Sequence, residues 1–204
     1  IWQTVWLEPV PENYIRPFKQ TPDIDAGTLT LNVAVSSVSS VLSVVATAHP
    51  AGTEVATAQA PCGQGLVLEL PNPKLWSPED PFLYDLTLEL KLGNDTVDSV
   101  TSYFGMRKIE CSEVDGKPRM LLNNEVYYQV GLLDHGQWPE SHFTPPSDES
   151  LKWEIEMAKA MGFNVNRKHL KVEASRWYYW CDVLGMLVWQ DLPRQNAFIG
   201  SPHR

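Results

Sequence analysis

Apolar and polar residues alternate with period two through most of the first half of the chain. In Thr28–Ser36 the apolar set is Leu29, Leu31, Val33 and Val35, all on one face of an extended strand. Val41–Ala48, Leu66–Leu70 and Leu83–Leu92 repeat the pattern, the last almost without a break. Ile1–Val10 reads as a further strand that ends at Pro9 and Pro11. Turn-forming clusters separate the runs: His49-Pro50-Ala51-Gly52, Pro71-Asn72-Pro73 and Gly93-Asn94-Asp95. Short strands punctuated in this way predict a β-sandwich of roughly a hundred residues, immunoglobulin-like in size.

The period changes in the second half. Ser147 is placed to cap a helix whose apolar positions Leu151, Ile155 and Ala158 step by four and three, with Gly162 beyond its end. A second helix follows Glu173, carries Trp177, Cys181 and Leu184 on one face, and stops at Gly185. Val126–Leu133, Phe163–His169 and Met186–Trp189 are the strand candidates around them. The order is β-α-β-α-β, which predicts a parallel sheet. The boundary between the halves is expected between Arg107 and Lys117, with Leu121–Glu125 forming a small hairpin before the first parallel strand.

Composition narrows the partners. The chain has 204 residues, 43% of them hydrophobic, which is enough for a substantial core. A net charge of −9 leaves no basic stripe to neutralise phosphates, so nucleic acid is not an expected partner. No apolar run is long enough to cross a bilayer, so none is expected to lie in a membrane. The cysteines, Cys62, Cys111 and Cys181, are odd in number and far apart, which is neither a disulfide framework nor a zinc signature. Neither a cofactor nor a metal is expected. The sequon Asn94-Asp95-Thr96 sits in an expected turn and matters only in a secreted protein. Compartment is not fixed, with an extracellular or periplasmic one favoured; oligomeric state is not fixed at all. Eight tryptophans suit either a carbohydrate surface, where a flat ring covers the apolar face of a sugar, or simply a well-filled core.

Polar residues gather at the carboxyl ends of the three predicted parallel strands, where ligands bind in such sheets. The first ends in Asp134-His135 and the third in Trp189-Gln190-Asp191. In the middle strand, alternation puts Val165, Arg167 and His169 on one face and Asn166 and Lys168 on the other. Arg supplies a rigid fork of donors and His can donate or accept, so the pair suits a polar or anionic group. An inward Arg paired to a carboxylate for structure alone is the competing reading. The substrate-binding candidates are Arg167, His135, Asp134, His169, Asp191 and Trp189. A metal-dependent hydrolase using His135, His169 and Asp191 is the weaker option, because no HxH or HExxH spacing supports it.

Several motifs together resemble glycoside hydrolase family 2, the β-galactosidase, β-glucuronidase and β-mannosidase group. Trp76-Ser77-Pro78-Glu79-Asp80-Pro81-Phe82-Leu83-Tyr84 is similar to the family's LWSPENPxLY run. Tyr103-Phe104-Gly105-Met106-Arg107-Lys108-Ile109 matches its exit from the sandwich into a barrel. Asn164-Val165-Asn166-Arg167, with Cys181-Asp182 and Gly185 downstream, matches its first signature. The resemblance covers nearly the whole chain. It implies a multidomain β plus α/β protein: residues 1–12 as the last strand of a jelly-roll sugar-binding domain, residues 13–110 as an immunoglobulin-like β-sandwich, and residues 111–204 as the first three βα units of a (β/α)8 TIM barrel. It also implies a carbohydrate substrate.

Departures from the family pattern limit what carries over. The family histidine lies three residues after the arginine and precedes Tyr-Pro. Here that position is Leu170, followed by Lys171 and Val172, and the histidine is one place earlier at His169. Asp191 stands where many members have a Glu, and His135 resembles the first-strand histidine that contacts sugar. The family's double displacement needs two glutamates, one after an Asn on the fourth strand and one on the seventh. Asn124-Glu125 lies in a turn before the first strand, so no catalytic residue is assigned in this chain. The expectation is a fragment of a retaining glycosidase, inactive alone; the alternative is a non-catalytic carbohydrate-binding or interaction module. The tail Asn196–Arg204, with Phe198 and Ile199, reads as cut rather than finished.

Overall fold

The computed structural model describes residues 5–37, 41–50 and 55–193. The tail from Asn196, Ile1–Thr4 of the first expected strand, and Ala51-Gly52 of the first expected turn lie outside the described residues. Strands dominate and helices are few. The chain divides into two compact units, Trp6–Tyr128 and a second from Gln129 onwards.

The first unit contains β1 (Ile15–Asp23), β2 (Thr28–Val35), β3 (Leu42–His49), β4 (Ala56–Pro61), β5 (Leu66–Glu69), β6 (Tyr84–Leu92) and β7 (Asp95–Phe104). They form two antiparallel sheets, ordered β1-β2-β5 and β4-β3-β6-β7. The alternating residues supply a single core from both sheets: Leu29 and Leu31 from β2, Val44 and Ala46 from β3, Leu66 and Leu68 from β5, and Leu86, Leu88 and Leu90 from β6. This is the predicted sandwich, and the four strands of strongest alternation lie where the periodicity put them. The polar strands β1, β4 and β7 were not legible. They occupy sheet edges, where one ladder suffices and a polar outer face carries no penalty. The β1 and β7 edges are joined where the Ile15 amide donates to the Asp98 carboxylate at 2.8 Å.

Val5–Val10 pairs with no described strand, and Val5, Trp6 and Leu7 are exposed. A strand exists only with a ladder partner, so alternation alone did not make one here.

After the sandwich, β8 (Ile109–Val114), β9 (Lys117–Leu122) and β10 (Glu125–Val126) make a small antiparallel sheet. Its tight turn is the expected Leu121–Glu125 hairpin, with Asn123 and Asn124 both at positive φ. The amide of Asn123 donates to the Trp76 carbonyl at 3.0 Å, and its side-chain oxygen accepts from the Lys108 backbone N–H at 3.0 Å. The Lys108 ammonium reaches Asp25 at 2.8 Å. These bonds tie the hairpin to the sandwich, which is why the unit extends to Tyr128 rather than ending in the stretch 107–117.

The second unit holds β11 (Gly131–Asp134), α1 (Asp148–Ala160), β12 (Val165–Lys168), α2 (Ser175–Leu184) and β13 (Leu187–Gln190). The strands are parallel, in the order β11-β12-β13. The expected first strand Val126–Leu133 is split, with Val126 in β10 and the parallel strand starting at Gly131. Ser147 caps α1 by accepting from the Ser150 amide, and Asp148 and Glu149 sit in its first turn, where the helix dipole favours them. Gly185 closes α2 in the left-handed region at φ 78°, its N–H bonded to the Cys181 carbonyl. The helices pack Leu151, Ile155, Ala158, Trp177 and Cys181 into one core with Met186. Ser147→Ala is expected to cost the helix about 1 kcal/mol, read as a lower unfolding midpoint with the strand signals otherwise unchanged.

Candidate functional site

Strand alternation gives the parallel sheet two different faces. Leu132 and Asp134, Asn166 and Lys168, and Val188 and Gln190 point one way. On that side the helical core packs against Leu132 and Val188. Gly131, Leu133, Val165, Arg167 and Trp189 point the other way and, with Gln129, line a concavity of ≈ 340 Å³.

Arg167, part of that lining, is forked to Asp191. Nε of Arg167 donates to Oδ1 of Asp191 at 3.3 Å and NH2 to Oδ2 at 3.0 Å, a two-point fork. Asp191 is held for this by its own N–H, which donates to the Lys168 carbonyl at 3.1 Å. Half-exposed Trp189 donates its indole N–H to Gln129 at 2.8 Å, which fixes the ring plane at the surface. Gln129 was not singled out in the sequence, where it lay within the expected strand Val126–Leu133 rather than ahead of β11. The surface therefore combines a fixed flat ring with a charge-neutralised guanidinium–carboxylate fork, a set suited to a polyol.

His135 and His169 meet at the strand ends, with ring centroids 4.7 Å apart and planes at 74°. The His169 N–H donates to the Asp134 carbonyl at 2.7 Å. Its Nδ1 is buried without a hydrogen-bond partner, an unusual state for a buried imidazole. Among the described residues no group of three or more His, Cys, Asp or Glu side chains is placed to hold a metal ion.

Asp134, expected at the rim, turns instead to the helix-facing side. Its carboxylate binds the Lys168 ammonium, accepts from Asn166 at 3.3 Å, and accepts from the Gly136 N–H at 2.6 Å. Lys168 is the residue that sequence reasoning passed over. It is 0% exposed, sits 4.2 Å over the Trp177 ring, and also pairs with Glu154 at 3.3 Å and Glu173 at 3.3 Å. Lys171 joins through Glu173 at 2.8 Å and donates to the Gly136 carbonyl at 2.7 Å. Gly136, at φ +61°, leaves room for this: an added Cβ would drive into the Glu173 carboxylate and lie 2.8 Å from the Lys171 ammonium. A signal for the cluster was present, because alternation put Lys168 on the covered face and a lysine there demands carboxylates.

Burial shapes the protonation of this cluster. Burial pushes Glu154 up to about 8, helped by its hydrogen bond with the Asp134 carboxyl, against the opposing charge of Lys168. Burial also works to raise Asp134, but the hydrogen bond with Glu154 and the charge of Lys168 outweigh it and hold Asp134 well below the usual carboxylate range. For Lys168 burial favours the neutral amine, and the charges of Glu154 and Asp134 overcome it, so it is raised. With a proton on Glu154, two lysines face two carboxylates and the buried charge balances.

Residues 13–107 match the profile described as Glycosyl hydrolases family 2. A β-galactosidase of Lactococcus lactis is 28% identical over 92% of this chain and 18% of its own length. A β-galactosidase of Leuconostoc mesenteroides is 33% identical over 58% of this chain and 11% of its own. In fold, the chain is similar to a β-glucuronidase from Ruminococcus gnavus in complex with a C6-substituted uronic isofagomine. The TM-score is 0.78 at 21% sequence identity, over 90% of this chain and 30% of that one. The chain spans between 12% and 25% of the length of the first curated relatives it matches. By profile through residues 13–107 and by sequence along most of its length, the chain is similar to proteins of glycosyl hydrolase family 2, and its fold is similar over nearly all of it.

Proposed function

We propose that this chain supplies one side of the sugar-binding rim of a retaining glycoside hydrolase acting on O-glycosyl bonds of β-linked sugars. In this reading residues 1–12 end a jelly-roll domain, residues 13–110 are the immunoglobulin-like domain, and residues 111–204 begin a (β/α)8 barrel. The observation that carries the reading is the open sheet face on which Trp189, Gln129 and Arg167 line one concavity, with Arg167 forked to Asp191. In a barrel that face is the interior side of the strands, the side from which substrate is approached at their carboxyl ends. Trp189 would stack on the apolar face of a sugar ring, while Arg167 and His135 would meet its hydroxyls.

Bond cleavage needs a nucleophile and an acid/base carboxyl about 5 Å apart, flanking the glycosidic oxygen. Asp134 and Glu154 do not fit that role, since both are engaged by Lys168 on the helix-facing side. The catalytic glutamates are assigned to later strands of the parent protein.

The test is made on the parent protein and on this chain. The parent is expected to release nitrophenol from a nitrophenyl β-glycoside. Trp189→Ala is expected to raise KM about tenfold, equivalent to about 1.4 kcal/mol, with the smaller change in kcat. This chain is expected to show ligand-induced shifts of the Trp189 indole resonance with a methyl β-glycoside and no hydrolysis. Binding without hydrolysis by the parent would make the protein a carbohydrate-binding module instead. An unchanged Trp189 resonance at saturating sugar would remove the rim from the substrate path.

A further inference from the structure

The two histidines at the strand ends have no direct bond to one another, yet their rings are in edge-to-face contact. What places them is backbone geometry. His135 follows Asp134 at the end of β11, and the His169 N–H donates to the Asp134 carbonyl. Asp134 is itself fixed at both carboxylate oxygens, by the Gly136 N–H on one and by Asn166 and Lys168 on the other. Lys168 carries the fixation further, to Glu154 on α1 and to Glu173 in the connection before α2. We propose that Lys168 is the positioning residue of the rim: by gathering Asp134, Glu154 and Glu173 beneath the sheet it locks the ends of β11 and β12, and with them His135 against His169.

The use of the histidine pair rests on the sugar-binding reading above, but its geometry does not. The lock has a built-in sensitivity. At neutral pH a proton on Glu154 balances the cluster; its loss above about 8 adds a third carboxylate, half-buried, against the same two ammonium groups. The charged and titratable groups around Lys168 come from every packed element: Asp134 on β11, Glu154 on α1, Lys171 and Glu173 in the connection, and Tyr178 and Cys181 on α2, with Asp182 acting on Cys181. Tyr178 and Cys181 are both raised by burial and so stay neutral when Glu154 ionises. Glu154 is therefore the group whose ionisation loosens the lock.

The experiment measures the nuclear Overhauser contact between the carbon-bound ring protons of His135 and His169 in this chain. It is run at about pH 7 and about pH 9.5, on either side of the Glu154 value. Wild type is expected to show the contact at the lower pH and lose most of it at the higher. Glu154→Gln, which mimics the protonated form, is expected to keep it at both. Lys168→Met is expected to abolish it at both while the helical core signals of Trp177 persist. If Lys168→Met unfolds the unit, the comparison of wild type with Glu154→Gln decides. A contact of equal strength in wild type and Glu154→Gln at the higher pH would overturn the proposal. So would a contact retained in folded Lys168→Met. No sugar is present in these measurements, so a failed sugar titration would sink the functional reading and leave this one standing.

Discussion

Lys168→Met destabilises the parallel-sheet unit by about 3–5 kcal/mol at neutral pH, the cost of leaving buried carboxylates without their cation. Lys168 is fully buried and is the ammonium shared by Asp134, Glu154 and Glu173. Methionine matches the stem in length, so the loss comes from charge rather than from a cavity. Lys171 still faces Glu173, which leaves Asp134 as the stranded anion. That anion can be discharged by acid, so the effect shrinks as pH falls towards the carboxylate range. Amide hydrogen exchange over α1, β12 and α2, compared at pH 5 and pH 8, reads the difference. Equal protection in variant and wild type at pH 8 would mean that the cluster contributes nothing.

The wild-type cluster has its own pH dependence, with opposite signs at its two carboxyls. Glu154 is raised on folding, so its contribution is present in full below its ordinary value of 4.5 and is lost as pH rises to about 8. Asp134 is lowered on folding, so its contribution is present above its ordinary value of 3.8 and is lost as pH falls below it. The two together give this unit its greatest stability near the ordinary carboxylate range and a decline from there to about pH 8.

Trp76→Ala costs the sandwich unit about 3–5 kcal/mol, the range for deleting a large buried aromatic. Trp76 is 0% exposed. Its N–H donates to the Met106 carbonyl at 2.9 Å and its carbonyl accepts from Asn123. The Arg107 guanidinium lies 4.4 Å over the ring. Gly105 permits this packing, since a Cβ there would stand 3.2 Å from the Trp76 Cβ. Removing the indole leaves a cavity under that junction and strips Arg107 of its stacking surface. Trp76→Phe fills most of the volume and is expected to recover over half the loss. Denaturant unfolding followed by exchange at β3 and β6 amides measures it. A loss below about 1 kcal/mol would show that the site collapses around the cavity.

The same junction explains why these motifs carry so much information. The run Trp76–Tyr84 and the run Tyr103–Lys108 look like two separate signatures in the sequence. In the structure they are one contact, made by the Leu75–Met106 bridge and the Arg107–Trp76 stack. Residues that must fit one another closely leave a recognisable pattern even when they lie far apart in the chain.

Local physics was enough for β2, β3, β5 and β6, because a strand with one buried face must alternate. It was enough for α1 and α2, because Ser147 and Gly185 satisfy backbone groups that any helix leaves open. It was also enough to bring Arg167, Trp189 and Asp191 to one rim, since parallel in-register strands place equivalent positions side by side. Pairing alone decided β1, β4 and β7, whose polar sequences become strands only beside an inner neighbour.

Asp134 and Lys168 mark the limit most clearly. One residue of register separates the open face from the covered one, so Asp134 went to Lys168 and Leu133 to the concavity. No periodicity could connect Lys168 to Glu154 on α1 and Glu173 before α2, because a buried charge chooses its partners by distance in space. The sequence by itself determined the strongly alternating strands, the two helices, the two-part order and the motifs. The tertiary structure decided which polar residues line the concavity and which hold the sheet to its helices.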